Sequence, residues 1–272
     1  MTVAKAVAPA VAVLASIALS FAECRSRPDD HSAKTLNELK QCRLNQYRAT
    51  NLMFLHIPKN AGTSIERYVG RLKAKPTSTE RLCSGWHIPP RLFVPNPYVA
   101  ADTWCVVRHP LDRLLSMYKM QYAGVLDRLN STTSANHWLQ TRFARVDPEW
   151  RDLSPAKKDD CHSLPQSMYV WDANGTRTCG LVLRFERIAH DFDALMKRHG
   201  IDFRWGESDV SHHLDTNLTI ADVLPSVRRL MEQKYLEDYC RLGYAPEFYD
   251  CKVSRYWRAN TTLTPAGRGV VG

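Results

Sequence analysis

The apolar run from Leu52 to Ile57 breaks abruptly into Pro58-Lys59-Asn60-Ala61-Gly62-Thr63-Ser64, and this break constrains the fold more than any other stretch of the chain. Residues 52 to 57 are apolar enough for a buried strand, and Pro58 and Gly62 punctuate a tight turn. Thr63 or Ser64 is placed to cap a helix that runs on through Ile65, Tyr68, Val69 and Leu72. Such a turn aims unpaired backbone N–H groups and the positive end of the helix dipole at one spot, where Lys59 and the hydroxyls add donors. The natural occupant is an anion. The pattern is not a Walker A loop, which carries its lysine directly after the last glycine; here Lys59 precedes Gly62 and enters from the strand side. Taken alone, the stretch is also compatible with an ordinary turn and helix cap, the lesser of the two readings.

A second strand-to-helix junction changes that balance. Asp102 to Val107 is a short apolar, β-branched run that ends in Arg108-His109-Pro110, and the following Leu111 to Lys119 has helical apolar spacing, with Pro110 where a helix start tolerates it. Arg108 supplies a planar fork and Ser116 a hydroxyl, both suited to a second phosphate. Arg108 by itself could be a surface ion pair. Two such junctions favour one ligand bearing two phosphate groups.

Residues 54–66, FLHIPKNAGTSIE, resemble the 5′-phosphosulfate-binding loop of sulfotransferases that use 3′-phosphoadenosine 5′-phosphosulfate (PAPS), and residues 105–118, CVVRHPLDRLLSMY, resemble their 3′-phosphate-binding element. The pair is similar to that of the Golgi carbohydrate sulfotransferases related to the heparan sulfate 2-O and chondroitin type enzymes. The likeness extends through residues 84–90, 162–169, 182–186 and 235–244, so it covers roughly 51 to 245. His109 departs from it, since the family usually carries an acidic residue or asparagine there.

The resemblance implies a PAPS-dependent sulfotransferase acting on a hydroxyl of a glycan. Pro58, Lys59, Asn60, Ala61, Gly62, Thr63 and Ser64 would hold the 5′-phosphosulfate and Arg108 with Ser116 the 3′-phosphate. Lys59 would also neutralise charge on the leaving phosphate, since sulfuryl transfer makes demands like those of phosphoryl transfer. His87, in the stiff Trp86-His87-Ile88-Pro89-Pro90 context, is the expected base, because imidazole titrates near neutrality and the family places its base in this interval. His162 and Gln166 are expected on the acceptor side or in a structural role. His56 reads as a satisfied half-buried histidine, His212-His213 as a solvated loop, and Glu186 as a cap or anchor for the helix after the third strand. No metal is required in principle. A P-loop kinase would need a Walker lysine and a strand-end aspartate, where this chain has Arg108. A lumenal binding protein without turnover is a third reading, against which the intact lysine, arginine, serine and histidine argue.

The order of elements predicts the α/β class: strands at 51–57, 103–107 and 181–185, each followed by helical spacing, give a P-loop-like parallel sheet with helices on both faces and ligands at the carboxyl ends of the strands. Residues 124–180 read as an irregular insertion walling the acceptor cleft, and 223–239 as a last helix with Leu224, Val227, Leu230 and Met231 on one side. At 272 residues with 44% hydrophobic content the chain suits one catalytic domain, 49–250, with a stem at 23–48 and a tail at 251–272.

The net charge of +9 asks for an anionic partner, and no basic heptad helix, zinc-finger spacing or aromatic-basic signature points to nucleic acid. Residues 1–22 read as a cleaved signal peptide or a short type II anchor, which the resemblance tips toward a Golgi anchor with a lumenal catalytic domain. Eight cysteines and the sequons at Asn130, Asn174, Asn217 and Asn260 agree with that compartment. Cys161 with Cys179 and Cys240 with Cys251 are the first pairs to test, and Cys105 reads as a buried free thiol. No C-x-x-C spacing supports a zinc or redox site.

Overall fold

The computed structural model describes residues 33–71, 83–93, 96–99, 102–122, 132–206, 218–245 and 251. Residues 1–22, the sequons at Asn130, Asn217 and Asn260, and the His212-His213 pair lie outside them, while Asn174 is exposed.

Three short strands, β1 (Leu52–Leu55), β2 (Asp102–Val107) and β3 (Leu181–Arg184), form a parallel sheet in the order β1-β2-β3. Leu52 pairs with Asp102 and Leu55 with Cys105, while Trp104 pairs with Leu181 and Val107 with Arg184. Strand side chains alternate between faces, and the two buried clusters divide accordingly. Phe54, Trp104, Val106 and Leu183 pack with Tyr47 of helix α1 (Ala33–Ala49), with Ile65, Tyr68 and Val69 of α2 (Gly62–Val69), and with a later helix. Leu55, Cys105, Val107 and Val182 join the larger cluster on the other face. That cluster draws on α3 (Pro110–Gln121) and α4 (Thr132–Phe143). The expected parallel sheet with helices on both faces is therefore present. Trp104 is wholly buried, and its indole N–H donates to the Tyr47 hydroxyl at 3.0 Å; burying a large apolar side chain of this kind stabilises by about 1.5–3 kcal/mol.

The stretch from 132 to 180 is more ordered than its composition implies. It forms α4, α5 (Ser154–Lys157) and α6 (Ser167–Val170), and it buries Trp138, Trp150, Tyr169 and Trp171 in the larger cluster. After β3 comes α7 (Ile188–Arg198), which packs Phe192, Leu195 and Met196 beneath the sheet. The predicted last helix is two: α8 (Pro225–Lys234) and α9 (Leu236–Arg241), separated at Tyr235. At this break the buried Tyr235 hydroxyl donates to the Ser163 carbonyl at 2.6 Å. Val227 and Met231 are buried as expected, whereas Leu224 precedes the helix and stays exposed.

Disulfides join Cys83 to Cys161, Cys105 to Cys179 and Cys240 to Cys251. The Cys240–Cys251 expectation holds. The Cys161–Cys179 pairing and the free Cys105 thiol do not: the strand alignment sets Cys105 beside Cys179, just ahead of β3, and leaves Cys161 to Cys83.

Candidate functional site

The turn after β1 is built from unusual backbone. Lys59 (φ 70°) and Ala61 (φ 62°) are both left-handed, and Ala61 precedes α2 with no side chain capping the helix. Left-handed non-glycine residues cost energy and recur where a structure fixes a functional loop. With no side-chain cap, the first N–H groups of α2 face the cleft at the carboxyl ends of the strands. Gly62 is needed there for space, since a Cβ would come within 2.0 Å of His56 Nε2.

Lys59, Ala61, Gly62, Thr63, Ser64, His87, Arg108, Ser116 and His162 line this one cleft of about 630 Å³. The sequence-predicted residues that do not line it have structural tasks. The Pro58 carbonyl accepts from Arg113 Nε at 2.9 Å. The Asn60 amide turns inward, donating to the Val106 carbonyl at 2.8 Å and to Gln166 Oε1 at 2.7 Å. Gln166 is wholly buried. Its Oε1 also accepts from the Arg108 amide at 2.9 Å, and its Nε2 donates to the Arg108 carbonyl at 2.8 Å. These bonds give Gln166 the structural role: its amide ties the two strand-to-helix junctions to each other.

The cations are poised by burial. Lys59 is brought down from 10.5 to about 8, by desolvation first and then by Arg108 and Arg113. Among the described residues no carboxylate lies within ion-pair distance of it. The Arg108 guanidinium rests 4.0 Å from the Phe185 ring centroid and 4.0 Å from Asp112, and its buried Nε has no hydrogen-bond partner among the described residues. Such a group is open to an anion.

Three imidazoles face the same space. His87 lies with its ring centroid 4.9 Å from that of His56 and 4.8 Å from that of His162. His87 is pushed down to about 4 by desolvation and by His56, against the opposing pull of Asp160; His162 goes down to about 3 through desolvation, His87 and Lys59. Both are neutral at pH 7, so either is able to accept a proton. His87 Nδ1 lies 2.7 Å from Asp160 Oδ2. His56 is satisfied as expected, by Glu66 Oε1 at 2.7 Å, and its ring also lines the cleft.

Sequence reasoning missed Arg113, Asp160 and Glu66. Arg113 is buried, and besides Pro58 it donates through Nη2 to the His162 carbonyl at 2.8 Å, linking the loop to the far wall. A usable signal existed, since an arginine on the apolar face of a helix must be engaged by partners. Glu186 anchors a different helix from the expected one: it accepts from the His109 amide at 2.7 Å, at the start of α3, and from the Tyr244 hydroxyl at 3.0 Å. It thus serves as the acidic partner at this junction, where His109 instead packs its ring against Tyr239 and Tyr244.

A parallel sheet thus brings two cationic junctions and neutral imidazoles to one cleft. The chain belongs to the Sulfotransferase family, whose model matches residues 43–245, and the transferred group is the sulfuryl group. No curated protein and no solved structure gives a match. Among the described residues no group of three or more His, Cys, Asp or Glu is placed to hold a metal ion.

Proposed function

We propose that the protein transfers a sulfuryl group from PAPS to a hydroxyl of a glycan acceptor in the Golgi lumen. The observation that carries the PAPS reading is the convergence of Lys59 and the α2 N-terminus with Arg108 and Ser116 on one cleft. A donor with phosphate-type groups at both ends of a nucleoside needs two separate cationic clamps, and an unsatisfied buried Arg108 suits the 3′-phosphate. Phe185, Ile188 and Trp205 line the same cleft and offer apolar surface for a base. The volume lies within the range of small-ligand sites.

In this reading Lys59 meets charge developing on the leaving phosphate, the loop amides hold the 5′-phosphate, and neutral His87 takes the acceptor proton. A positive net charge favours an anionic chain as acceptor. Disulfides, sequons and residues 1–22 support a lumenal setting, with the N-terminal segment as anchor, the stretch to 48 as stem and the domain following.

The test is calorimetry with 3′-phosphoadenosine 5′-phosphate against ATP, followed by transfer from labelled PAPS across a glycan panel in the presence of chelator. Tight binding that needs the 3′-phosphate, with label in a glycan, is the expected result. Mg²⁺-dependent ATP binding indifferent to the 3′-phosphate would remove the reading.

A further inference from the structure

His87 closes a single helical turn, Gly85–His87, and one carboxylate holds both ends of the segment that carries it. Asp160 Oδ1 accepts from the Ser84 amide, and Asp160 Oδ2 lies 2.7 Å from His87 Nδ1. The backbone at His87 is fixed as well, since the Tyr169 hydroxyl donates to the His87 carbonyl at 2.8 Å. Asp160 (φ 55°) and Cys161 (φ 64°) are consecutive left-handed residues, a conformation that persists only where neighbouring structure imposes it. The Cys83–Cys161 disulfide supplies that constraint. It joins the residue before Ser84 to the residue after Asp160, so a covalent rung and two hydrogen bonds clamp residues 83–87 to 160–161.

We propose that Asp160 is the positioning residue for the His87 base, keeping the proton on Nδ1 so that Nε2 is free to take the proton of the acceptor hydroxyl, with the Cys83–Cys161 disulfide as the strut that holds Asp160 in place. This rests on the reading of His87 as the base. The chemistry is that of a carboxylate selecting a histidine tautomer and stabilising the imidazolium that forms when the proton arrives. The groups around His87 divide clearly: His56 after β1 opposes its protonation, while Asp160 and, more remotely, Glu66 of α2 favour it. His162 and Lys59 lie on the same cleft. Removing Asp160 therefore frees the tautomer and makes His87 harder to protonate.

The variants are Asp160→Ala, Asp160→Asn and the double Cys83→Ser/Cys161→Ser, made in the full chain. Asp160→Ala is expected to lower kcat by ~10²- to 10⁴-fold, to leave the dissociation constant of 3′-phosphoadenosine 5′-phosphate within about threefold, and to move the acid limb of the rate profile to lower pH. In ¹⁵N spectra, with His87→Gln for assignment, wild-type His87 should carry its proton on Nδ1 and Asp160→Ala should show the Nε2–H form. Asp160→Asn retains one acceptor oxygen for two N–H groups and should fall between. The double serine variant should repeat the Asp160→Ala pattern in weaker form, with nucleotide binding reporting that it has folded. A wild-type rate in Asp160→Ala, or lost activity with the His87 tautomer and acid limb unchanged, overturns the proposal. Failure of the sulfotransferase reading looks different: wild type would not bind the nucleotide, while the tautomer measurement would still decide what Asp160 does to His87.

Discussion

Lys59 should cost the free protein stability, and replacing it by methionine should show how much. Its amine is brought from 10.5 to about 8 by burial and by Arg108 and Arg113, which corresponds to about 3 kcal/mol at 1.36 kcal/mol per pKa unit. The folded state binds fewer protons than the unfolded chain between these two values, so stability rises with pH through that window and the penalty is complete below about 8. Lys59→Met keeps a chain of similar length and the same left-handed backbone, and removes only the charge. Allowing for partial exposure, the variant should gain about 2–3 kcal/mol near neutrality, or ~5–10 °C in Tm for a domain of this size. Thermal melts of the free proteins at pH 7, 8, 9 and 10 test this, and the gap should narrow as pH rises. Melts with saturating 3′-phosphoadenosine 5′-phosphate should reverse the order, because the ligand stabilises only what binds it. A methionine variant no more stable than wild type at pH 7, or a gap that does not change with pH, would refute the argument that Lys59 is held desolvated for a ligand.

Arg108→Ala should weaken nucleotide binding by about 2–5 kcal/mol if the arginine meets the 3′-phosphate away from water, and Arg108→Lys should recover only part of it, as a point charge lacks the fork; calorimetry decides, and an unchanged affinity sinks the assignment. Gln166→Ala leaves the Asn60 amide and the Arg108 backbone without buried partners and should cost about 3 kcal/mol in stability together with donor affinity; a change confined to acceptor KM in kinetics would restore it as a substrate residue. For the base, kcat/KM for the donor should hold from neutrality down and fall only as pH drops through about 4, because His87 must be neutral to accept a proton; an acid limb near 6.5 would place the base elsewhere.

The two strand-to-helix junctions were legible because each is local. Strand, turn, lysine and helix start are contiguous at 52–69, and the same holds for Arg108 and Ser116, so periodicity and turn chemistry suffice. The supports for these elements are spread along the chain. Asp160 lies 73 residues from His87, and Gln166 is 106 residues from Asn60. Nothing in local pattern distinguishes an aspartate that orients a histidine from one on a solvated turn. The local Cys240–Cys251 pair was legible, whereas the Cys105–Cys179 pair was not, since these two meet only once β2 and β3 are aligned. The bond from the Tyr235 hydroxyl to Ser163 likewise spans distant parts of the chain.

The cleft places cations and imidazoles side by side, and this arrangement explains both sets of charge states. Burial and the neighbouring Lys59, His56 and Arg113 keep His87 and His162 unprotonated, while burial and the two arginines loosen the proton on Lys59. A dianionic ligand entering this space opposes the cationic repulsion within it, because negative charge favours the protonated form of each group. If the donor is the proposed nucleotide, its binding should therefore favour the charged Lys59, where that reading puts the leaving phosphate, and raise the basicity of His87, where it sends the acceptor proton. The free protein holds the two cations with little ordinary ion pairing, since no carboxylate pairs with Lys59 among the described residues and Asp112 is 4.0 Å from Arg108. In the proposed reading their charges are left to be matched by the donor, so the donor completes the electrostatics that the acceptor then meets, and the expected order is nucleotide before glycan.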